Sequence, residues 1–189
     1  MRPKEFNRNS VLEKCITLFW EEGYNGTGIQ KIVARTGVNR FSLYEEFGNK
    51  EGILLASLEL YKERYVPLKK LTKSSTIEKT LFQFYFSFFQ PNKLNNHPLG
   101  CYISTMAMEL RETNEMKLFF NTYLAFLEQK LSQLLEENSS LSAGDLATTL
   151  KQLILYYCTS MGMYIIFPIN ETEKYLHDNI KLITKCLKE

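Results

Sequence analysis

Residues 27–50 constrain the fold of this chain more than any other stretch, because helix start and stop signals alternate within it. Thr27, followed three residues later by Gln30, forms the pattern of a capping box and predicts a helix start. An apolar face at helical spacing follows. Gly37 then predicts the helix end, since glycine readily adopts the left-handed conformation found there. Asn39 is suited to cap a second helix. The stretch therefore predicts two short helices joined by a tight turn.

The second of these helices has an inward face and an outward face. Leu43 and Phe47 recur at helical spacing and are predicted to point inward. Gly48 predicts the end of the helix, and Asn49 can cap the next one. The outward positions carry a cation, two aromatic rings and a hydroxyl, namely Arg40, Phe41, Ser42 and Tyr44. A helix pair with such an exposed end is able to meet the major groove of DNA.

The order and spacing of these residues resemble the DNA-binding domain of the TetR family of transcriptional regulators. The resemblance covers about the first third of the chain without a gap, over Gly23-Tyr24-x-x-Thr27, Ile29-x-x-Ile32, Thr36-Gly37-Val38 and Leu43-Tyr44-x-x-Phe47-x-x-Lys50-Glu51. It implies an all-α protein of about nine helices. Residues 1–49 would form a three-helix helix-turn-helix domain, and residues 50–189 a helical ligand-binding and dimerisation domain.

The resemblance implies that Thr27, Tyr44 and Lys50 contact DNA phosphates, although an ordinary solvated lysine is the alternative for Lys50. By its chemistry, Arg40 is suited to a bidentate contact with guanine, and Phe41 to a thymine methyl group. The full predicted DNA-binding set is Thr27, Gly28, Asn39, Arg40, Phe41, Ser42, Tyr44 and Lys50.

Three positions depart from the usual pattern of the family. Val33 stands where a small alanine is usual, Phe41 where glycine is frequent, and Glu46 where an aromatic residue or histidine is common. The change at Val33 concerns packing. The changes at Phe41 and Glu46 leave the operator sequence open.

The remaining pattern predicts helices with short connectors and no sheet. One helix is predicted before the helix pair, at Arg8–Glu22, and a long helix from Lys50 toward Pro67. A strongly aromatic segment, Thr76–Gln90, is predicted as a buried helix rather than a strand because of its length and an apparent capping box at Ser75 and Glu78. Further helices are predicted at Leu99–Arg111, Glu115–Glu137, Asp145–Phe167 and Glu171–Leu187.

The second domain is rich in aromatic and methionine side chains, for which core packing and a ligand pocket are the alternatives. Core packing is favoured for any single residue. As a set, they suit an apolar pocket with tyrosine hydroxyls as polar groups, and a flat or lipid-like inducer without much charge. The predicted pocket residues are Phe82, Tyr85, Phe86, Phe89, Cys101, Tyr102, Met106, Phe119, Tyr123, Tyr157 and Met161.

The last two helices carry the predicted dimer contacts, because the resemblance implies that they pair with their two-fold mates. The predicted dimer residues are Leu150, Leu153, Tyr157, Leu176, Ile180, Ile183 and Leu187. The segment Leu153–Ile169 has no charged residue, but it is shorter than the ~20 apolar residues of a membrane span and contains several polar ones. A buried helix is the favoured interpretation, and no membrane partner is expected.

The charge distribution, the cysteines and the absence of certain motifs limit which classes of function are expected. The net charge is +2, and the excess of cations lies in residues 1–50, with eight Lys and Arg against six Asp and Glu. Four separated cysteines and two lone histidines offer no metal-ligand spacing, so neither a metal nor a cofactor is expected. A buried inert thiol and a reactive or ligand-touching one are the alternatives for Cys101. No catalytic or nucleotide-binding motif is present, which disfavours an enzyme.

The sequence therefore predicts a ligand-responsive transcriptional regulator in the bacterial cytoplasm, associated with the nucleoid. The most direct version is a repressor that binds double-stranded DNA at a palindromic operator as a homodimer. Its two reading helices would meet half-sites about 34 Å apart. A small, largely apolar or aromatic inducer would release it. The alternative is a helical small-molecule carrier or adaptor without DNA binding.

Overall fold

A computed structural model of the protein describes residues 6–67, 76–89, 100–138, 141–166 and 169–185. Those residues contain nine α-helices, one short 3-10 helix and no strand, which confirms the all-α prediction. The helices are α1 Arg8–Glu22, α2 Ile29–Thr36, α3 Arg40–Phe47, α4 Lys50–Arg64, α5 Ile77–Phe86, α6 Tyr102–Glu109, α7 Asn114–Asn138, α8 Ala143–Ile166 and α9 Ile169–Lys185.

Helix ends follow the predicted caps at most positions. Gly37 ends α2 with φ +77°, and Asn39 accepts a hydrogen bond from the Ser42 amide at the start of α3. Asn49 caps α4 by accepting from the Gly52 amide. These signals are local, so the sequence specifies them without help from the rest of the fold.

Two predicted capping boxes are wrong. The N-cap of α2 is Gly28, and the Thr27 hydroxyl donates backwards to the Gly23 carbonyl at 2.7 Å. Helix α5 is capped by Thr76, whose hydroxyl accepts from the Lys79 amide. The predicted cap, Ser75, lies outside the described residues. In the first case a nearby backbone acceptor takes the hydroxyl that the sequence pattern assigned to the helix start.

The first compact unit comprises residues up to Val66 together with Thr105–Lys117. Helix α1 packs against α2 and α4, and α3 packs against α4. The core consists of apolar side chains that are fully or almost fully buried: Leu12, Ile16, Phe19, Ile32, Leu43, Ile53 and Leu58. This unit extends beyond the predicted domain of residues 1–49, because α4 contributes one side of its core.

The second compact unit comprises Pro67–Ser104 and Leu118–Glu189. Here α9 packs against α5 and α8. The buried side chains include many aromatic ones, among them Phe84, Tyr85, Tyr123 and Tyr157. Among the helices that the structure describes, none is both long enough and apolar enough to cross a bilayer.

Candidate nucleic-acid interface

Helix α3 presents its first turn to solvent. Phe41 is 77% exposed, which is the highest value among the exposed large apolar side chains of the described residues. The Arg40 guanidinium lies 5.0 Å from the centre of the Tyr44 ring, one helical turn further on. This cation–π contact favours one orientation of an otherwise flexible arginine. The first turn of α3 therefore carries an exposed ring and an oriented guanidinium.

The opposite side of α3 is anchored. Leu43 is completely buried. The Arg8 Nε atom lies 3.1 Å from Glu46 Oε1, and the Arg8 guanidinium lies 5.3 Å from the centre of the Phe47 ring. Arg8 thus compensates a carboxylate on the helix that would otherwise repel phosphates. This role of Arg8 is not visible in the sequence, because no local pattern links residues 38 positions apart.

Helix α2 is fastened to α1 by charged contacts. Glu22 pairs with Lys31, and Glu21 pairs with Arg35 at 2.8 Å. The Lys14 ammonium donates to the carbonyl of Thr36, the last residue of α2, at 3.3 Å. A cation at this end matches the negative pole of the helix dipole. The two ion pairs and this hydrogen bond fix the helix that precedes the reading helix α3.

Two of the predicted phosphate ligands face the protein. Thr27 has no exposed surface. The Lys50 ammonium donates to the carbonyls of Tyr24 and Thr27, at 3.0 and 3.2 Å, and lies 3.9 Å from the centre of the Tyr24 ring. Both side chains therefore hold the turn between α1 and α2. Gly28 is exposed at the start of α2, where no side chain accepts from the first backbone amides. Such an end is suited to an anion.

Some of the predicted pocket residues meet in the second unit around Tyr157. Its hydroxyl donates to Cys101 Sγ at 3.1 Å and lies 3.1 Å from both Ser104 Oγ and the Tyr123 hydroxyl. Since a phenol has one proton to give, Ser104 and Tyr123 are the donors toward Tyr157. Burial raises the pKa of Tyr157 well above its ordinary value, so its hydroxyl keeps its proton at neutral pH. Ser104 was not predicted, because nothing in its local sequence distinguishes it.

The other predicted pocket residues differ in burial and in the unit to which they belong. Tyr85 is buried and donates to the Leu153 carbonyl at 2.8 Å. Tyr102 is buried and belongs to the second unit, whereas Met106 is buried and belongs to the first. Phe82, Phe86 and Phe119 are half-buried. The side chains of Phe89 and Met161 lie outside the described set.

An open groove of about 550 Å³ also runs along α7 and α8. Its lining is Ala125, Glu128, Gln129, Ser132, Gln133, Glu136 and Leu150. None of the predicted pocket residues belongs to this lining. The groove is therefore separate from the cluster around Tyr157.

A known protein family matches the part of the chain that contains α2 and α3. The family described as "Bacterial regulatory proteins, tetR family" matches residues 11–57, which run from α1 into α4. The repressor ComR of Escherichia coli is 31% identical over 105 residues. Over residues 11–57 the chain is therefore similar to the TetR family of regulators. Its named relatives are transcriptional regulators rather than enzymes.

These relatives match in part only. The ComR alignment covers 54% of this chain and 50% of ComR. IcaR of Staphylococcus aureus, a negative regulator of the biofilm operon icaADBC, is 29% identical over 84 residues, which is 43% of this chain and 45% of IcaR. The chain thus spans about half the length of the curated relatives it matches.

Solved structures of TetR-family proteins share the fold over nearly the whole chain. A regulator from Streptomyces coelicolor has a TM-score of 0.80 at 16% identity, covering 97% of this chain and 91% of that one. A cysteine mutant of CifR complexed with a 26-bp operator DNA has a TM-score of 0.79 at 17% identity, covering 95% and 98%. At such identities the likeness shows a common fold.

Most of the predicted dimer residues are buried within the single chain. Five of them are core residues of a single chain: Leu150, Leu153, Tyr157, Leu176 and Ile180. Side chains that are already buried have little surface left for a partner, and their contacts in a dimer remain a prediction. Ile183 is half-buried, and Leu187 lies outside the described residues. The exposed large apolar side chains on α8 and α9 are instead Leu155, Tyr175 and Leu182.

Proposed function

We propose that this chain is a DNA-binding transcriptional regulator, most simply a repressor, that reads an operator with the first turn of α3. The observation that carries the proposal is the exposed pair Arg40 and Phe41 on a helix whose opposite side, at Leu43, is completely buried. The names of ComR and IcaR as repressor and negative regulator support it, as does the operator complex of CifR.

Each side chain of the reading surface has a proposed role. Arg40 makes the bidentate contact with guanine, and Phe41 packs on a thymine methyl group. Ser42 and Tyr44 contact the flanking backbone, and Asn39 holds the first turn of α3 through its cap. These contacts require α3 to enter the major groove by its N-terminal end.

The phosphate backbone is proposed to meet the start of α2 and the Lys50 ammonium. Gly28 leaves the first amides of α2 open to an anion. Lys50 has three donors, and two of them bind carbonyls of the preceding turn. Its predicted phosphate contact therefore uses the third donor. Thr27 takes part through its backbone position, since its hydroxyl is bound to Gly23.

The decisive experiment measures operator binding by the wild type and by Arg40→Ala. Fluorescence anisotropy with DNA from upstream of the protein's own gene should show specific binding. Arg40→Ala should lose about 1–3 kcal/mol on the cognate site and relax selectivity at one base position. Arg111→Ala removes another exposed arginine, outside this surface, and is the matched control.

Two outcomes would contradict this assignment. Equal losses for Arg40→Ala on every DNA sequence would mean that the residue contacts phosphate and reads no base. A wild-type protein that binds no fragment, even at low salt, would leave the carrier or adaptor interpretation. The same assay with added compounds tests release by an inducer.

A neutral, largely apolar or aromatic inducer is proposed for the second unit, next to the cluster around Tyr157. The support is chemical: the cluster offers hydroxyls and a thiol, and burial keeps Tyr157 protonated. Buried hydroxyls of this kind can bind a carbonyl or hydroxyl group but cannot neutralise a charge. Neutral aromatic compounds should therefore release DNA in the anisotropy assay, and their charged analogues should not.

A homodimer that acts in the bacterial cytoplasm, at the nucleoid and without a membrane partner, completes the proposal. Tyr175 and Leu182 are seven residues apart on α9 and so share one face, and Leu155 is exposed on α8. Leu182→Glu should produce monomers in sedimentation experiments and lose operator binding, because two half-sites would no longer be held together. Leu118→Glu, at an equally exposed leucine on α7, should stay dimeric. Dimers with both variants would disprove this interface.

A further inference from the structure

The Gly23–Thr27 turn between α1 and α2 is gripped by a residue far away in the sequence. Glu109, the last residue of α6, accepts hydrogen bonds from the Tyr24 and Asn25 amides, each at 2.9 Å and each on a different carboxylate oxygen. All three residues belong to the first compact unit. Bonds from amides to an ionised acceptor are stronger than neutral ones.

Glycine at position 23 permits this approach. Its φ is +74°, and a Cβ atom there would lie 3.0 Å from Glu109 Oε2. The carbonyl of the same residue accepts the Thr27 hydroxyl at 2.7 Å. Any larger residue would strain the backbone and push the carboxylate away from the amides.

Lys50 holds the same turn through its carbonyls. Its ammonium donates to the carbonyls of Tyr24 and Thr27. The turn therefore gives its amide donors to an anion and its carbonyl acceptors to a cation. A carboxylate near the C-terminal end of α1 is disfavoured by the helix dipole, so the two amide bonds are what stabilise Glu109 there.

We propose that Glu109 is a positioning residue for DNA binding. It fixes the turn from which α2 starts, and with it the exposed amides at Gly28, without contacting DNA. This inference rests on the proposed function.

The test compares two explanations that predict opposite changes in the affinity for DNA. Removing an acidic residue from a DNA-binding protein ordinarily tightens binding, because repulsion of phosphates decreases. If Glu109 positions the turn, Glu109→Ala should instead weaken operator binding roughly ten-fold. The slope of log K against log salt should stay unchanged, because the displaced backbone amides carry no net charge and release no counterions.

Two further variants control this comparison. Glu112→Ala removes the same charge three residues on, where the carboxylate is exposed and pairs with its neighbour Arg111. It should bind as wild type or slightly tighter. Glu109→Gln keeps one carbonyl acceptor but presents its NH2 group to the other amide. Its operator affinity should therefore lie between those of the wild type and Glu109→Ala. If Glu109→Ala does not fold, Glu109→Gln carries the comparison.

A spectroscopic measurement detects the hydrogen bonds between Glu109 and the turn in the absence of DNA. In full-length protein labelled with 15N-tyrosine, the Tyr24 amide proton should move upfield and exchange faster in Glu109→Ala, without DNA present. An unchanged Tyr24 amide would overturn the inference at once. A Tyr24 amide that responds while operator binding stays at the wild-type level would also overturn it. A wild type that binds no DNA would overturn the proposed function and the positioning role together, while Tyr24 would still report on the grip.

Discussion

The first compact unit satisfies its charged side chains at the surface, between helices, whereas the second brings neutral hydroxyls together in its interior. In the first unit Glu21 pairs with Arg35 and Arg8 with Glu46, and the partners are partly exposed. In the second, Tyr157 meets Ser104, Tyr123 and Cys101 without solvent. The same need for polar partners is thus met with charges in one unit and with uncharged groups in the other.

The two units therefore differ in which interactions stabilise them. Exposed ion pairs contribute little and are screened by salt, so the first unit depends on its apolar core. Removing the partner of a buried hydroxyl lowers the free energy of unfolding much more, because water cannot reach the polar group that remains. The second unit therefore depends on its polar interior as well as on packing.

The largest effect is expected in the first unit, from Leu43→Ala. Leu43 is completely buried, so the change should lower the free energy of unfolding by about 2–5 kcal/mol. Trp20, the single tryptophan, is buried in this unit and reports its unfolding by fluorescence in urea. Phe41→Ala, two residues away and exposed, is the control and should change stability by less than about 0.5 kcal/mol. Similar losses for both variants would contradict the division of α3 into anchored and exposed sides.

An intermediate effect is expected in the second unit, from Tyr157→Phe. The change leaves three buried groups without their shared partner and should cost about 1–3 kcal/mol near neutral pH. Far-UV circular dichroism in urea measures the loss. Thr122→Val, which removes an exposed hydroxyl on α7, is the control. If Tyr157→Phe were as stable as the wild type, packing alone would stabilise this interior.

The same variant also has a pH signature. Burial raises the pKa of Tyr157 above its ordinary value, so the folded protein keeps a proton that the unfolded chain loses. The resulting stability is fully present below about pH 10 and decreases as the pH rises. Tyr157→Phe should reduce that decrease by up to about 1.4 kcal/mol per pH unit.

The two units also differ in how far the sequence predicted them. The ends of α1 and the caps at Gly37, Asn39 and Asn49 were predicted because their signals are local. The division of α8 into buried and exposed positions was not, because α8 is apolar around much of its circumference. Periodicity could not distinguish Leu153, which is buried, from Leu155, which is 65% exposed.

The parts of the candidate site that were missed depend on distant partners. Thr27 was predicted as a cap and a phosphate ligand, but its hydroxyl is taken by Gly23 in a turn whose shape Glu109 and Lys50 support. Glu109 lies 85 residues from Tyr24. Only the folded chain brings such residues together, so a pattern within one segment could not reveal them.

The smallest effect is expected from Glu21→Gln, which removes a pair between α1 and α2. Both side chains are about 40% exposed, so the free energy of unfolding should fall by only about 0.2–1 kcal/mol at low salt, and the difference should disappear near 1 M salt. Trp20 fluorescence in urea again measures it, with Glu63→Gln, an exposed acid on α4, as the control. A loss above about 2 kcal/mol that persists at high salt would show that the first unit depends on its charges as strongly as the second depends on its hydroxyls. The contrast between the units would then disappear, because partial exposure would no longer decide how much a polar contact contributes.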